Sequence, residues 1–537
     1  MARRWWALGA LVASMLVLAF DLTILNVALP TMAGQLDATT GEQQWMADAY
    51  IVACAALMLP AGLLGDRFGR RRTLVAGLTV FLAGSVLGAL ADTVQLVVGA
   101  RTLMGIGAAL VMPLALAVLP SIFDTDERPR AVATLTTAAA AGLPLGPIVG
   151  GWMLDHFWWG SIFALNIPMA VIGIAACVFL VPESKDPAAP EVGALSTALS
   201  AVGLAGLIFG IIEVPVRGWG DPLVIAAFAA AAVLLTALVL RERTAARPML
   251  DMGLLGDRRF LPNALTATLA MFMLAGLMFI LPPYLQAVLG NDALGTGLRM
   301  LPLMGGLMVA AKSSTPAVRR FGPRPVIGAG LVVLAFATIL GSRTSVDSDY
   351  TFTAVWLTVA GLGFGFTVVP AMDTALAVLP VDRAGSGSGL LLTVRQVGSA
   401  IGIALLGSLL AAVYTDRLDT SGLPAAAGDA AGDSVVAAHL IADRLGDEGL
   451  TAAANSAFVQ GMSTALLVSG IAALVAALLV AGLLPTGKAP GAEAGAGTEA
   501  GADAREEAGA DARDGVDEGT RDGAGPDVVG APTDARQ

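Results

Sequence analysis

Runs of about 20 predominantly apolar residues recur along nearly the whole of this 537-residue chain. Wound as an α-helix, a run of that length is what one crossing of a lipid bilayer requires. The composition agrees with this reading, because 56% of the residues are hydrophobic and only 14% are charged. In soluble domains, about 45–50% of the residues are apolar and roughly 25% are charged. We therefore expect an all-α integral membrane protein.

Reading for such runs predicts fourteen transmembrane spans, which we number in chain order. Spans one to eight are Ala7–Leu29, Trp45–Leu64, Thr73–Ala91, Val94–Leu119, Ala131–Met153, Ser161–Val181, Leu195–Glu213 and Pro222–Leu240. Spans nine to fourteen are Leu261–Leu281, Leu298–Ala317, Val326–Gly341, Phe352–Leu379, Ser386–Tyr414 and Phe458–Leu483. With the N-terminus in the cytoplasm, inner loops hold about eighteen Lys or Arg and outer loops about four, as the positive-inside rule requires. This pattern predicts a multi-pass protein of the plasma membrane with both termini cytoplasmic.

A short repeat suggests how the spans are grouped. The loop after span two reads DRFGRR around Gly69, and the loop after span ten reads RRFGPR around Gly322. Spans nine to fourteen would then repeat spans one to six, as in transporters built from parallel repeats. The predicted regions are an N-terminal six-helix bundle (1–185), two inserted helices with a cytoplasmic linker (186–259), a C-terminal six-helix bundle (260–485) and an acidic tail (486–537). The tail has 12 acidic and 5 basic residues and almost no large apolar ones, a composition typical of disorder.

The first span contains an acid, Asp21, within LVLAFDLTILNVALP. A charged side chain at the bilayer centre costs about 2.5–3.5 kcal/mol on insertion scales. Burial disfavours the ionised form of a carboxyl group, whereas a nearby cation favours it. An acid between these influences can exchange a proton for a cationic substrate. The alternative is that Asp21 is a static partner for Arg101 of span four, which could itself be a snorkelling interfacial arginine.

The loop between spans two and three, GLLGDRFGRRR, combines glycines with charges. Gly62 and Gly69 permit a tight turn and close approach of the backbone, and Asp66 can pair with Arg67, Arg70 or a helix N-terminus. The alternative is a generic basic loop that contacts anionic lipid head groups.

In span five, three glycines lie four residues apart, at Gly142, Gly146 and Gly150. They share one helix face and allow another helix to pack closely, while Pro144 and Pro147 remove backbone donors and should bend the helix. Such a helix suits a rocking interface between two halves, although a static packing seam is the alternative.

Few other charges lie in the predicted spans. Glu213 ends span seven at the outer side, and Asp373 lies in the inner part of span twelve. Either could add a cation or proton site, and Glu213 could equally be an interfacial loop acid. Arg395 of span thirteen could pair with Asp373.

Several of these segments together resemble the major facilitator superfamily. GLLGDRFGRRR resembles its signature loop, and FDLTILNVALP, RTLMGIGAALVMP, GLPLGPIVGG and FALNIP resemble motifs of its fourteen-helix drug/proton antiporter branch, the EmrB/QacA type. One departure is Trp159-Gly160-Ser161, where that branch has a Trp-Arg-Trp cluster. The resemblance implies two six-helix bundles plus two extra helices and proton-coupled multidrug efflux by alternating access. It also implies coupling roles for Asp21 and Arg101, and a gating role for the loop after span two.

Other classes of function lack their signatures. The chain has no GxxxxGK[ST] sequence for ATP, and its two cysteines and two histidines do not form a cluster with metal-ligand spacing. We expect no enzyme activity, cofactor, metal or nucleic acid, and a monomer whose partners are the lipid bilayer, protons and a small-molecule substrate. Two alternatives stay open: a dedicated exporter of one endogenous metabolite or antibiotic, and a membrane sensor that does not transport.

Overall fold

A computed structural model describes residues 2–123, 127–185, 194–244, 253, 256–257, 259–377 and 384–483. Helix is the only regular secondary structure in this part of the chain. The predicted disordered tail and most of the predicted linker lie outside the described residues.

The helices are numbered α1 to α18 in chain order. Those of the first half are α1 (Ala2–Leu36), α2 (Thr40–Phe68), α3 (Arg70–Ala89), α4 (Val94–Ala117), α5 (Leu119–Ile122), α6 (Arg128–His156), α7 (Ser161–Leu180), α8 (Ala194–Arg217) and α9 (Pro222–Thr244). Those of the second half are α10 (Phe260–Pro283), α11 (Ala293–Arg299), α12 (Leu301–Phe321), α13 (Pro323–Gly341), α14 (Tyr350–Ala377), α15 (Ala384–Arg417), α16 (Ala425–Asp433), α17 (Val435–Leu445) and α18 (Glu448–Leu483). A π-helical turn, Tyr284–Val288, extends α10.

The predicted all-α membrane fold is confirmed. Within the described residues, twelve helices are long and apolar enough to cross a bilayer. Two further helices, α2 and α6, coincide with predicted spans two and five and have 29 residues each; that they cross the bilayer stays a prediction. Several helices are longer than their predicted spans. The longest example is α18, which has 36 residues and is about 54 Å long. Hydropathy marks only the part of a helix that lies in lipid.

The two repeated loops have the same backbone geometry. Gly69 separates α2 from α3 with a φ of 108°, and Gly322 separates α12 from α13 with a φ of 85°. Glycine adopts such angles readily, whereas other residues are strained there. This correspondence supports the predicted repeat. We call the end of the molecule that carries these turns the inner end, and the opposite end the outer end, after the predicted orientation.

Two groups of long helices pack among themselves. We call α1–α4, α6 and α7 the N-terminal bundle, and α10, α12–α15 and α18 the C-terminal bundle. The inserted helices α8 and α9 pair with each other, and α8 also packs against α2 and α15, where the two bundles meet. Much of the surface of α9 is apolar and exposed, including Val233 and Leu240, as expected for a helix that faces lipid.

At the outer end, α6 of the N-terminal bundle joins the short helix α11, which leads into the C-terminal bundle. Asp155 accepts hydrogen bonds from the backbone amides of Ala293 and Leu294 at 3.2 and 3.1 Å. These amides begin α11, so the carboxylate satisfies donors that the helix itself leaves free. A Cβ on Gly297 would collide with the carbonyl oxygen of Pro147. We call this contact between α6 and α11 the outer seal.

A helical pair, α16–α17, covers the outer end beside the seal. The hydroxyl of Thr40 donates to the carbonyl of Asp433 at 2.5 Å, and Tyr414 donates to the carbonyl of Ala431 at 3.0 Å. The pair thereby touches α2 of one bundle and α15 of the other. The second helix of the pair, α17, buries one face, which includes Ala438.

The close backbone approach in the outer seal gives a test. In Gly297→Val the added side chain must displace the backbone of Pro147, so we expect α6 and α11 to separate. Spin labels on Phe157→Cys and Leu298→Cys, two exposed sites, in a background without the native cysteines, should report a longer or broader distance distribution. The control is Gly305→Val, since a Cβ at Gly305 meets open space. An unchanged distribution in Gly297→Val would contradict the seal.

Candidate functional site

Asp21 lies inside the N-terminal bundle with both of its oxygens engaged. Nη1 of Arg101, on α4, donates to Oδ2 of Asp21 at 2.7 Å. Nδ2 of Asn166, on α7, donates to Oδ1 at 2.8 Å. The three residues are at most 2% exposed. One carboxylate therefore ties together three helices in a place without contact to bulk water.

Arg101 also contacts α2. Its Nε donates to the carbonyl of Met46 at 3.3 Å, and its guanidinium carbon lies 4.5 Å from the centre of the Tyr50 ring. Cations are attracted to aromatic faces at such distances. The arginine is buried and paired, which differs from the interfacial, snorkelling alternative.

Asp48, on α2, is a second buried acid. It is fully buried, and neither of its carboxylate oxygens has a hydrogen-bond partner within the described residues. It lies one turn after Gln44, on the same helix face, and a Cβ on Gly407 of α15 would collide with the amide of Gln44. Asp48 therefore belongs to the face of α2 that turns toward the C-terminal bundle.

Sequence analysis did not single out Asp48 or Asn166. The signal for Asp48 was available, because WMADAYIV places an acid inside span two just as Asp21 lies inside span one. The hydrogen bond between Asn166 and Asp21 joins residues 145 positions apart, and no local sequence pattern predicts such a contact.

The glycines of α6 pack against α1 around Asp21. A Cβ on Gly142 would come within 2.9 Å of the Cβ of Ala19, and one on Gly146 or Gly150 would collide with α1 at Thr23 or Ile24. This glycine face thus forms a seam inside the N-terminal bundle. The contact of α6 with the other half lies on its neighbouring face, with Pro147 in the outer seal. The side chain of Pro144 lies outside the described part.

Glu213 and Asp373 are not part of the Asp21 cluster. Glu213, on α8, accepts a hydrogen bond from the indole of Trp45 at 2.8 Å and forms an ion pair with Arg217 at 2.5 Å. The hydrogen bond and charge of Glu213 raise the pKa of Arg217. Asp373 has an exposed side chain near the inner end of α14.

The suggested pairing of Arg395 with Asp373 is wrong. The guanidinium of Arg395 contacts the sulfur of Met372, the residue that precedes Asp373 in α14, at 2.9 Å. Successive residues of a helix point about 100° apart, so the residue before Asp373 meets the arginine while the carboxylate points elsewhere.

The loop after α2 is fixed to two other helices at the inner end. The backbone amide of Arg71 donates to Glu183, just beyond α7, at 3.2 Å, and Nη1 of Arg70 donates to the carbonyl of Ala117 on α4 at 2.8 Å. A Cβ on Gly69 would lie 2.5 Å from Glu183, so glycine is required for this approach as well as for the turn.

Three further predicted loop residues are less constrained. Nothing within 4 Å would meet a Cβ on Gly62, and the exposed guanidinium of Arg67 lies 5.8 Å from the centre of the Phe68 ring. The side chain of Asp66 lies outside the described part.

Known proteins share this sequence and fold. The chain is 34% identical over 487 residues to the multidrug efflux pump LfrA of Mycolicibacterium smegmatis, covering 89% of this chain and 96% of that protein. It is 31% identical over 488 residues to the tetracenomycin C resistance and export protein of Streptomyces glaucescens, covering 88% and 90%.

A solved structure agrees at the level of the fold. The inward-facing, unoccupied structure of a bacterial homolog of the human lysosomal transporter Spinster superposes with a TM-score of 0.64 at 17% identity, covering 89% of this chain and 97% of that one. The family model of the Major Facilitator Superfamily matches residues 11–403. The chain therefore belongs to the Major Facilitator Superfamily and is a multi-pass membrane transporter, not an enzyme.

Proposed function

We propose that this transporter exports amphipathic, cationic or hydrophobic small molecules across the plasma membrane in exchange for protons, as a monomer with both termini in the cytoplasm. The observation that carries the proposal is the buried Asp21, ion-paired to Arg101 and hydrogen-bonded to Asn166. It is a titratable group, inside the membrane, whose charge state changes contacts among several helices.

Protonation of Asp21 would loosen the N-terminal bundle in a defined way. The ionised carboxylate is stabilised by the guanidinium and the amide, and a bound proton removes the charge that attracts Arg101. Arg101 would keep its contacts to Met46 and Tyr50 on α2. The link between α1 and α4 would therefore weaken, while the link between α4 and α2 persists.

The position of α6 connects this change to the outer end. Its glycine face packs on α1 around Asp21, and its neighbouring face carries Pro147 and Asp155 of the outer seal. A shift of α1 on protonation would be passed to α6, because the seam leaves no room for independent movement. Proton uptake by Asp21 would thus bias opening and closing of the outer end, as alternating access requires.

At the inner end, we propose that the loop made of Gly62, Asp66, Arg67, Gly69 and Arg70 takes part in gating. The contacts of this region with Glu183 and Ala117 hold the start of α3 in place. Opening and closing of the inner end would have to break or slide these contacts.

The proton gradient supplies enough free energy for resistance. One charge moving down 100 mV releases about 2.3 kcal/mol. A tenfold difference in substrate concentration costs about 1.4 kcal/mol, so one net inward charge supports a substrate gradient of about fifty-fold.

The names of the relatives favour two versions of this proposal. LfrA is named a multidrug efflux pump, and the Streptomyces relative is named a tetracenomycin C resistance and export protein. Transport of several unrelated amphipathic compounds by the purified protein would support the broad version, and transport of a single compound class would support a dedicated exporter.

The first prediction concerns Asp21→Asn, which removes the titratable group with little change in shape. In proteoliposomes with an imposed pH gradient, we expect ethidium transport driven by the gradient to be lost, because Asn cannot carry a proton. Asp347→Asn is the matched control, since Asp347 is an exposed loop acid, and it should transport like the wild type. Equal gradient-driven transport by Asp21→Asn and wild type would remove Asp21 from the mechanism.

A second prediction concerns Asp48, for which we propose a second proton site. An ionised buried carboxylate without partners is costly, so Asp48→Asn should leave thermal stability unchanged or raise it. The number of protons exchanged per ethidium, measured from the pH gradient that just balances a known substrate gradient, should fall by one. An unchanged proton number would show that Asp48 does not carry a transported proton.

A further inference from the structure

The C-terminal bundle contains an arginine, Arg395 on α15, whose side-chain partners among the described residues are sulfur atoms. Its Nη1 lies 2.9 Å from the sulfur of Met372 on α14, and its Nη2 lies 4.0 Å from the sulfur of Met271 on α10. Its Nε is buried and has no hydrogen-bond partner among the described residues. A guanidinium has five N–H donors, and thioethers are weak acceptors, so most of its donor capacity is unused.

The contrast with Arg101 identifies what is missing. Arg101 has the carboxylate of Asp21 at 2.7 Å, whereas no ion pair joins Arg395 to an acid within the described part of the chain. A charge at membrane depth is costly unless it is paired or functional.

Arg395 lies well inside the bundle. It is eleven residues after Ala384, the first residue of α15, which is about 16 Å along the helix axis. Met271 is likewise eleven residues after Phe260, where α10 begins. The guanidinium is therefore far from the inner end of both helices.

The part of α15 that carries Arg395 lies near the place where the two bundles meet. α15 packs against α2 of the N-terminal bundle, and Gln396, the residue after Arg395, lies close to the side chain of Cys54 on α2. Arg395 itself is only half-buried, so part of its side chain meets open space. The accessible part of the side chain is where a bound molecule would make contact.

We propose that Arg395 binds the anionic group of an amphipathic substrate, such as a carboxylate, sulfonate or phenolate. The planar fork of the guanidinium matches such oxygens and can bind two of them at once. Met271 and Met372 would contact the apolar body of the substrate, since methionine adapts to varied shapes and is frequent at promiscuous binding surfaces. This inference rests on the proposed function and adds organic anions to its substrates.

The test uses two fluorescent probes of opposite charge in phosphatidylcholine proteoliposomes with an imposed pH gradient. The probes are anilinonaphthalene sulfonate, an anion, and ethidium, a cation. Loss of a hydrogen bond to a charged group lowers binding affinity about tenfold or more. Arg395→Met should therefore raise the KM for the anion at least about tenfold. The KM for ethidium should stay unchanged. Arg395→Lys should recover part of the anion transport, since a lysine keeps the charge but not the fork.

The outcomes separate this inference from the proposed function. Gradient-driven transport of ethidium but not of the anion by the wild type would overturn the role of Arg395 and leave the proposed function standing, whereas transport of neither probe would overturn the proposed function itself. Equal losses for both probes in Arg395→Met would make the arginine a structural or coupling residue and contradict the inference. Thermal stabilisation of the wild type, but not of Arg395→Met, by phosphatidylglycerol without anion transport would assign the site to a lipid head group instead.

Discussion

The ion pair between Asp21 and Arg101 is the contact on which the proposed mechanism depends. Removing one partner of a buried pair costs about 3–5 kcal/mol, yet replacing both by apolar residues is often neutral or stabilising. Stability alone therefore gives little reason for such a pair. Its particular property is that a single proton changes its energy, and with it the contacts among α1, α4 and α7.

Under the proposed mechanism, close packing would convert that local change into a movement of helices. Because Gly142, Gly146 and Gly150 have no side chains, the backbone of α6 packs directly on the side chains of α1, including Thr23 and Ile24. The adjoining face of α6 meets α11 in the outer seal, where Asp155 caps the partner helix. The distance between Asp21 and the outer seal is thus bridged by one helix rather than by a chain of flexible side chains.

The sequence predicted the features that are determined by residues close together along the chain. Apolar runs predicted the helices, the spacing of glycines predicted the close face of α6, and Gly69 predicted the tight turn after span two, where the structure has a positive φ. Features that depend on the rotation of a helix about its axis were not predictable. The pairing of Arg395 with Asp373 failed for that reason, because one residue of rotation brings Met372 to the arginine instead.

The two bundles differ in the charge that they leave uncompensated. In the N-terminal bundle Arg101 is paired, and the buried Asp48 has no hydrogen-bond partner within the described part of the chain. In the C-terminal bundle the side-chain partners of Arg395, over the same part of the chain, are thioethers. If Asp48 takes up a proton and Arg395 binds the anionic group of a substrate, as proposed, proton uptake and recognition of substrate charge belong to different halves of the transporter. Such a division lets the transporter carry an organic anion without placing it beside a carboxylate that must take up and release protons.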